Sequence, residues 1–508
     1  MNLGLVRNAW SNLLGAVIPA LVALGTVPLV VRGLGDASYG VYSLVTAIVG
    51  YFAVIDINVT AGSVKFLAAF HADRNQPGNG ERIDETVFFG LSVYALLGLA
   101  GGTGLWCGAR WFVTRVFSVP AGLEAEAIAT LQLAAFGFFL GQLQSYLQSV
   151  PQALMRYDIA GGVEMLFGTG VPLLTVGVLL LGHGLFAVIL VRIGASALNC
   201  LVLWHCIRRL LPGLRYRRAG AAIRRELLGF SAYAFLSRFA TLSYAYADKL
   251  IIGALVGVTG LAYFTVASTL ANRILSLTYR LSGVVFPAAS ALAARGELER
   301  LKRLYLKASR YVVFLNGAVL VLVAVFSYQI LYYWMNPLFA RAGQVVLAVM
   351  ALSQFVDSLT SLPSLVNDGM GHPRLSGMFA LVRAAVGLVV VYAGVAGWGI
   401  EGAAWGHLLA SVLLSGAFLV AVHGRTVPAR LGDLMRASYA PGALGVVAVA
   451  LVAHVANGAC GGPLDRLVLV LLTTALLGVY GVLVVVERDD RDRAWSRMKS
   501  WMSMRKTA

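Results

Sequence analysis

Apolar stretches of about 20 residues, each long enough to cross a bilayer as a helix, recur along this chain between short polar breaks. They fall at 10–31, 40–62, 86–108, 128–150, 159–181, 184–207, 230–253, 260–288, 308–332, 342–366, 375–397, 400–422, 437–457 and 464–486. The pattern predicts an all-α polytopic membrane protein with about 14 transmembrane helices. The breaks carry a second signal. With the N-terminus taken as cytoplasmic, the two termini and the even-numbered loops hold 29 of the 40 Lys and Arg. These are chiefly Arg208, Arg209, Arg215, Arg217, Arg218, Arg224 and Arg225, then Arg295 to Arg310, then Arg488 to Lys506. The opposite face holds five: Arg32, Arg110, Arg115, Arg341 and Arg466. Basic residues retained on the cytoplasmic side set orientation, so both termini are expected in the cytoplasm.

Composition sharpens this reading. A chain of 508 residues that is 59% hydrophobic and only 12% charged lies outside the range of soluble domains. Its net charge of +17 sits in short juxtamembrane loops, where it serves topology and contacts with anionic headgroups. Membrane lipids are therefore expected partners, and nucleic acid is not. Cys107, Cys200, Cys206 and Cys460 are scattered through apolar sequence, which implies neither a disulfide framework nor a metal site. The first apolar run is full length and leads directly into another, so it is expected to be an uncleaved insertion signal.

The longest outer loop, about residues 109–127, is too short for a folded domain. Membrane enzymes acting on lipid-linked sugars generally need one, which argues for transport over catalysis. A basic connector follows the sixth span. The expected organisation is an N-lobe over 1–207, a cytoplasmic linker over 208–229, a C-lobe over 230–424, and an added helix pair with a basic tail over 425–508. A weak internal echo relates the lobes. Ser149-Val150-Pro151-Gln152-Ala153-Leu154 parallels Ser361-Leu362-Pro363-Ser364-Leu365-Val366, and Gly40-Val41-Tyr42 resembles Leu261-Ala262-Tyr263. Six spans per repeat give both lobes the same orientation, a parallel repeat able to rock about a site near the midplane.

No nucleotide-binding G-x-x-x-x-G-K-[ST], no H-E-x-x-H and no G-x-S-x-G occurs, and the seven histidines are isolated from one another. No catalytic residue, metal or cofactor is expected. The chemistry lies in charges placed at membrane depth, which are costly unless they face a cavity or a partner. With Arg310, at the cytoplasmic edge of the ninth span, counted with its loop, six cations fall inside the spans: Arg192, Arg238, Lys249, Arg273, Arg280 and Arg383. Arg238 and Lys249, 11 residues apart, share a helix face, as do Arg273 and Arg280, 7 apart. Such a ladder suits a crossing phosphate or pyrophosphate. The competing reading pairs the cations with Asp56, Glu164, Asp248 and Asp357 as structural salt bridges. Gln142, Gln144, Tyr146 and Gln148 in the fourth span form a candidate hydrogen-bonding wall for sugar hydroxyls, or for neighbouring helices. Asp56 and Asp248 are candidates for ion coupling.

Several short motifs, in order, resemble the polysaccharide transport (O-antigen flippase) family of the multidrug/oligosaccharidyl-lipid/polysaccharide flippase (MOP) superfamily. They are Asn8, Pro28 to Gly35, Tyr39-Gly40-Val41-Tyr42 and Asp56, then Asp248 to Gly253, Ala262-Tyr263 and Phe286-Pro287. Asn367 to Pro373 and Gly399 to Ala404 complete the series. Asn58 departs from the family, which commonly has Gly after this Asp. The resemblance implies two six-helix lobes in the bacterial cytoplasmic membrane, opening alternately to either side. It implies a polyprenyl-pyrophosphate-linked oligosaccharide as cargo, with polysaccharide polymerase or assembly proteins as candidate partners. A multidrug antiporter of the same superfamily and a non-transporting assembly scaffold are the alternatives. An antiporter for organic cations would favour an acidic cavity, whereas the excess here is cationic.

Overall fold

The computed structural model describes residues 3–74, 76–282, 285–493 and 496, and every regular element among them is helical. In chain order the α-helices are α1 (Leu3–Leu34), α2 (Asp36–Phe52), α3 (Val59–Ala72), α4 (Asn79–Trp111), α5 (Glu124–Ala153), α6 (Tyr157–Leu180), α7 (Leu185–Leu210), α8 (Ala221–Leu255) and α9 (Val258–Ser282). They continue as α10 (Val285–Ala294), α11 (Leu298–Val325), α12 (Ser327–Trp334), α13 (Pro337–Ser358), α14 (Ser361–Gly369), α15 (Pro373–Arg425), α16 (Leu431–Leu434), α17 (Ala440–Ala459) and α18 (Pro463–Tyr480). Among the described residues ten helices are long and apolar enough to cross a membrane.

Within the described residues three spans that read as continuous apolar runs are broken: the second, the tenth, and the ninth, where α11 ends at Val325 and α12 begins at Ser327. In the second, α2 gives way to a 3₁₀ turn over Ala53–Ile55 and the chain extends through Asp56 before α3 begins. Hydropathy is blind to this break, because the deciding residue is Asn58, in the left-handed region at φ 58°. Asn tolerates that region better than other residues with a Cβ, since its short amide can bond locally. In the tenth, α13 ends at Ser358 and α14 restarts at Ser361. By contrast, the eleventh and twelfth merge into α15, whose two arms turn at Trp398 and Gly399. Gly399 takes φ 58° at the turn.

The chain divides into two compact units, Met1–Val266 with Ala380–Ala403, and Ala267–Phe379 with Ala404–Ala508. In the first, Leu67, Val87, Tyr94, Tyr146, Val150, Leu203 and Ile207 form a core shared by α3, α4, α5 and α7. The basic connector is ordered against α4: Arg217 reaches Glu81 at 2.8 Å and Glu85 at 3.6 Å, and Gly220 N–H donates to Glu85 at 2.9 Å.

In the second unit, Leu301, Tyr305, Val366, Phe418, Val422 and Tyr439 build the core. Asn367, fully buried, is its polar hub. Its amide donates to His372 O and Ser376 Oγ, each at 2.9 Å, and its Oδ1 accepts from Thr426 Oγ1 at 2.7 Å. The segment Asn367 to Pro373 thereby ties the end of α14 to both ends of α15. Polar side chains also fasten the segment beyond α18 to α11. Lys307 reaches Asp490 at 2.6 Å and Glu487 at 2.9 Å, and Tyr311 donates to Asp490 at 2.8 Å. These charge-assisted bonds raise the lysine's affinity for its proton and hold the Asp490 carboxyl below the usual carboxylate range.

Candidate functional site

The break in the second span is organised around Asp56, which is only 1% exposed. Its Oδ1 accepts from Tyr94 Oη at 2.6 Å and from Asn58 N–H at 2.7 Å. Asn58 Oδ1 in turn accepts from Thr60 Oγ1 at 2.9 Å. The left-handed Asn58 is what lets the chain fold back so that its own amide meets the carboxylate. The other oxygen, Oδ2, lies 2.9 Å from Arg238 Nη2 on α8. That contact is an ion pair without hydrogen-bond alignment, since neither Asp56 Oδ2 nor Arg238 Nε has a hydrogen-bond partner among the described residues. The Arg238 side chain stays one-third exposed. A buried carboxylate satisfied on one side and loosely paired on the other leaves donor capacity on the guanidinium for a further anion.

A second polar site lies between α5, α6 and α7. A cavity of about 360 Å³ is lined by Gln144, Glu164, Arg192, Ser196 and Asn199, with Phe167 among its apolar walls. Arg192 also hydrogen-bonds the Tyr42 hydroxyl, and its guanidinium carbon stands 5.6 Å from the centre of that ring. Asn199 is 3% exposed, and its Oδ1 has no protein partner among the described residues.

The remaining candidates separate. Lys249 folds onto its own helix, donating to Ala245 O at 3.0 Å with Asp248 Oδ1 at 3.4 Å. Arg383 stacks on Tyr244, its guanidinium carbon 5.1 Å from the ring centre. Arg273 is exposed on α9. The side chain of Arg280 lies outside the described residues. The expected wall on α5 fans out, as 100° per residue requires. Gln144 faces the cavity, while Gln148 Nε2 donates to Ala160 O on α6 at 2.8 Å. Tyr146 turns to α4, where its hydroxyl donates to Thr86 O at 2.9 Å and its ring stacks on Tyr94.

Sequence reasoning names Glu164 only as a neutralising acid and passes over Ser196 and Asn199. Single polar residues in a helix carry no periodic signal. Only their spacing of four and seven residues from Arg192 could mark the face, with Arg192, Ser196 and Asn199 stacked along α7.

No group of three or more potential metal-ligating His, Cys, Asp or Glu exists among the described residues. The fold has known counterparts. An inward-facing multidrug resistance MATE family transporter of the MOP superfamily matches with a TM-score of 0.71, over 85% of this chain and 99% of its own, at 15% identity. The fold is thus that of a multi-pass helical membrane protein, which in bacteria resides in the inner membrane. Residues 29–335 match the model of a family described as polysaccharide biosynthesis protein, and the chain belongs to that family. It is 20% identical over 409 residues to a protein of Shigella flexneri named "Putative O-antigen transporter", covering 79% of this chain and 94% of that protein. It is also 22% identical over 380 residues to the uncharacterized membrane protein EpsK of Bacillus subtilis (strain 168), 68% of this chain and 70% of the relative. The resemblance read from the motifs therefore holds.

Proposed function

We propose that the protein flips a polyprenyl-pyrophosphate-linked oligosaccharide from the inner to the outer leaflet of the cytoplasmic membrane by alternating access. On this reading the chain makes fourteen spans with both termini cytoplasmic. Lobes 1–207 and 230–424 form the parallel repeat, 208–229 links them, and 425–508 adds a helix pair and tail. The observation that supports it most directly is Arg238. Its charge is held at membrane depth by a buried Asp56 that does not saturate it, the state wanted of a residue that must take and release a pyrophosphate. Outward movement of negative charge across an inside-negative membrane is favourable by about 2.3 kcal/mol per charge per 100 mV, so no ATP site is required. Asp56 is also the acid best placed for ion coupling.

The test is translocation of a pyrophosphate-linked oligosaccharide in proteoliposomes, with wild type, Arg238→Ala and Arg273→Ala at equal reconstitution. A lost charge-assisted bond predicts a slowing of about tenfold or more for Arg238→Ala. Equal rates in all three would return both cations to structural roles. No transport of any lipid-linked sugar, with efflux of cationic dyes instead, would favour the antiporter.

A further inference from the structure

The α5–α6–α7 cavity does not have the make-up of a pyrophosphate site. Arg192 lines it, but so does Glu164, whose carboxylate repels a diphosphate brought into the same space. Arg192 is moreover engaged by Tyr42 through both a hydrogen bond and its ring face. What remains is a mixed set: two carboxamides (Gln144, Asn199), a hydroxyl (Ser196), one acid, one base and an aromatic wall at Phe167. Each hydroxyl of a sugar ring both donates and accepts, and planar carboxamides and charged groups meet it in pairs. The ring's C–H face packs on an aromatic side chain. Asn199 Oδ1 adds a directional demand. It is buried and has no protein donor among the described residues, so an occupant must bring an O–H or N–H to it. The volume, about 360 Å³, falls in the range of small-molecule sites.

We propose that this cavity is a subsite for a monosaccharide ring of the carried glycan, with Asn199 Oδ1 and Glu164 accepting sugar hydroxyls and Gln144 and Arg192 donating to ring oxygens. The assignment rests on the flippase reading, and it separates the work: Arg238 holds the pyrophosphate, and this cavity reads the sugar.

The experiment measures binding to the detergent-purified full chain of two probes: polyprenyl-pyrophosphate-linked oligosaccharide extracted from the native strain, and the same polyprenyl pyrophosphate without sugar. Asn199→Leu and Glu164→Gln are compared with wild type. Glu164 is exposed on α6, so its amidation leaves the bundle intact even if Asn199→Leu does not fold. The expected result is affinity for the sugar-bearing lipid reduced about tenfold, with affinity for the bare lipid unchanged. Equal weakening for both probes, or no change for either, would overturn the subsite while leaving the flippase standing. A wild-type protein that binds neither probe would instead remove the reading beneath it, and the subsite with it.

Discussion

Tyr94→Phe is the sharpest perturbation of the Asp56 site, because it deletes one oxygen and keeps the ring. The lost bond, at 2.6 Å from a buried hydroxyl to a charged acceptor, belongs to the strong class and is worth about 1.5–3 kcal/mol. The ring's stacking on Tyr146, at 5.4 Å between centres, survives the change. The expected loss of stability is therefore about 2 kcal/mol, a factor of about 30 in the folded-to-unfolded ratio. In an Asp56→Ala background the hydroxyl has lost its main acceptor and retains only contacts to Thr60, at 3.3 and 3.4 Å. There the same Tyr94→Phe change should cost less than about 0.5 kcal/mol, leaving a coupling of about 1.5 kcal/mol. Unfolding in mixed micelles of rising SDS fraction, run on all four proteins of the cycle, reads these differences. Equal costs of Tyr94→Phe in the two backgrounds would refute the claim that Asp56 organises the break.

Two further changes test packing and charge. A Cβ at Gly40 would stand 2.0 Å from the carbonyl oxygen of Val258, a backbone atom with no freedom to swing aside. Gly40→Ala should force α2 from the start of α9 and lower the yield of folded protein several-fold by size-exclusion chromatography; a wild-type profile would contradict this packing. The Lys307–Asp490 tie should be strongest at intermediate pH. Asp490 is lowered, so its contribution is complete above the ordinary carboxylate range and fades as pH falls through the lowered value. Lys307 is raised, so its contribution is complete below the ordinary lysine value and is lost as pH rises through the raised one. Limited proteolysis after α18 should accelerate at both extremes, and Lys307→Ala should flatten that dependence.

Much of the helical layout was legible because length and hydropathy alone decide where a chain can satisfy its backbone in lipid. The breaks were less so. Asp56 stood out as a charge, but nothing in the run 40–62 announced that the helix stops there. The sign was the one departure from family habit, Asn58, where Gly is usual. Gly enters the left-handed region without strain and Asn more readily than most residues; here Asn58 takes it and adds an oxygen that accepts from Thr60. The motifs from Asn367 and from Gly399 were legible as landmarks and opaque in purpose. One is a buried hub between α14 and α15, the other the turn within α15.

The candidate site divided along the same physical line. Charge is visible in a sequence, whereas its compensation depends on partners far away along the chain. Arg238 and Asp56 are 182 residues apart, and no spacing rule links them. The wall on α5 failed as a unit for a simpler reason. Gln144, Tyr146 and Gln148 alternate as strand residues would, and a helix sends the middle one about 200° away from the first. Tyr146 accordingly packs into the core against Gly90 of α4, where a Cβ would fall 2.0 Å from its ring. A polar residue at membrane depth is thus most informative when read with its i+3, i+4 and i+7 neighbours. On α7 that reading joins Arg192 to Ser196 and Asn199 and outlines a polar face that the charge of Arg192 alone did not suggest.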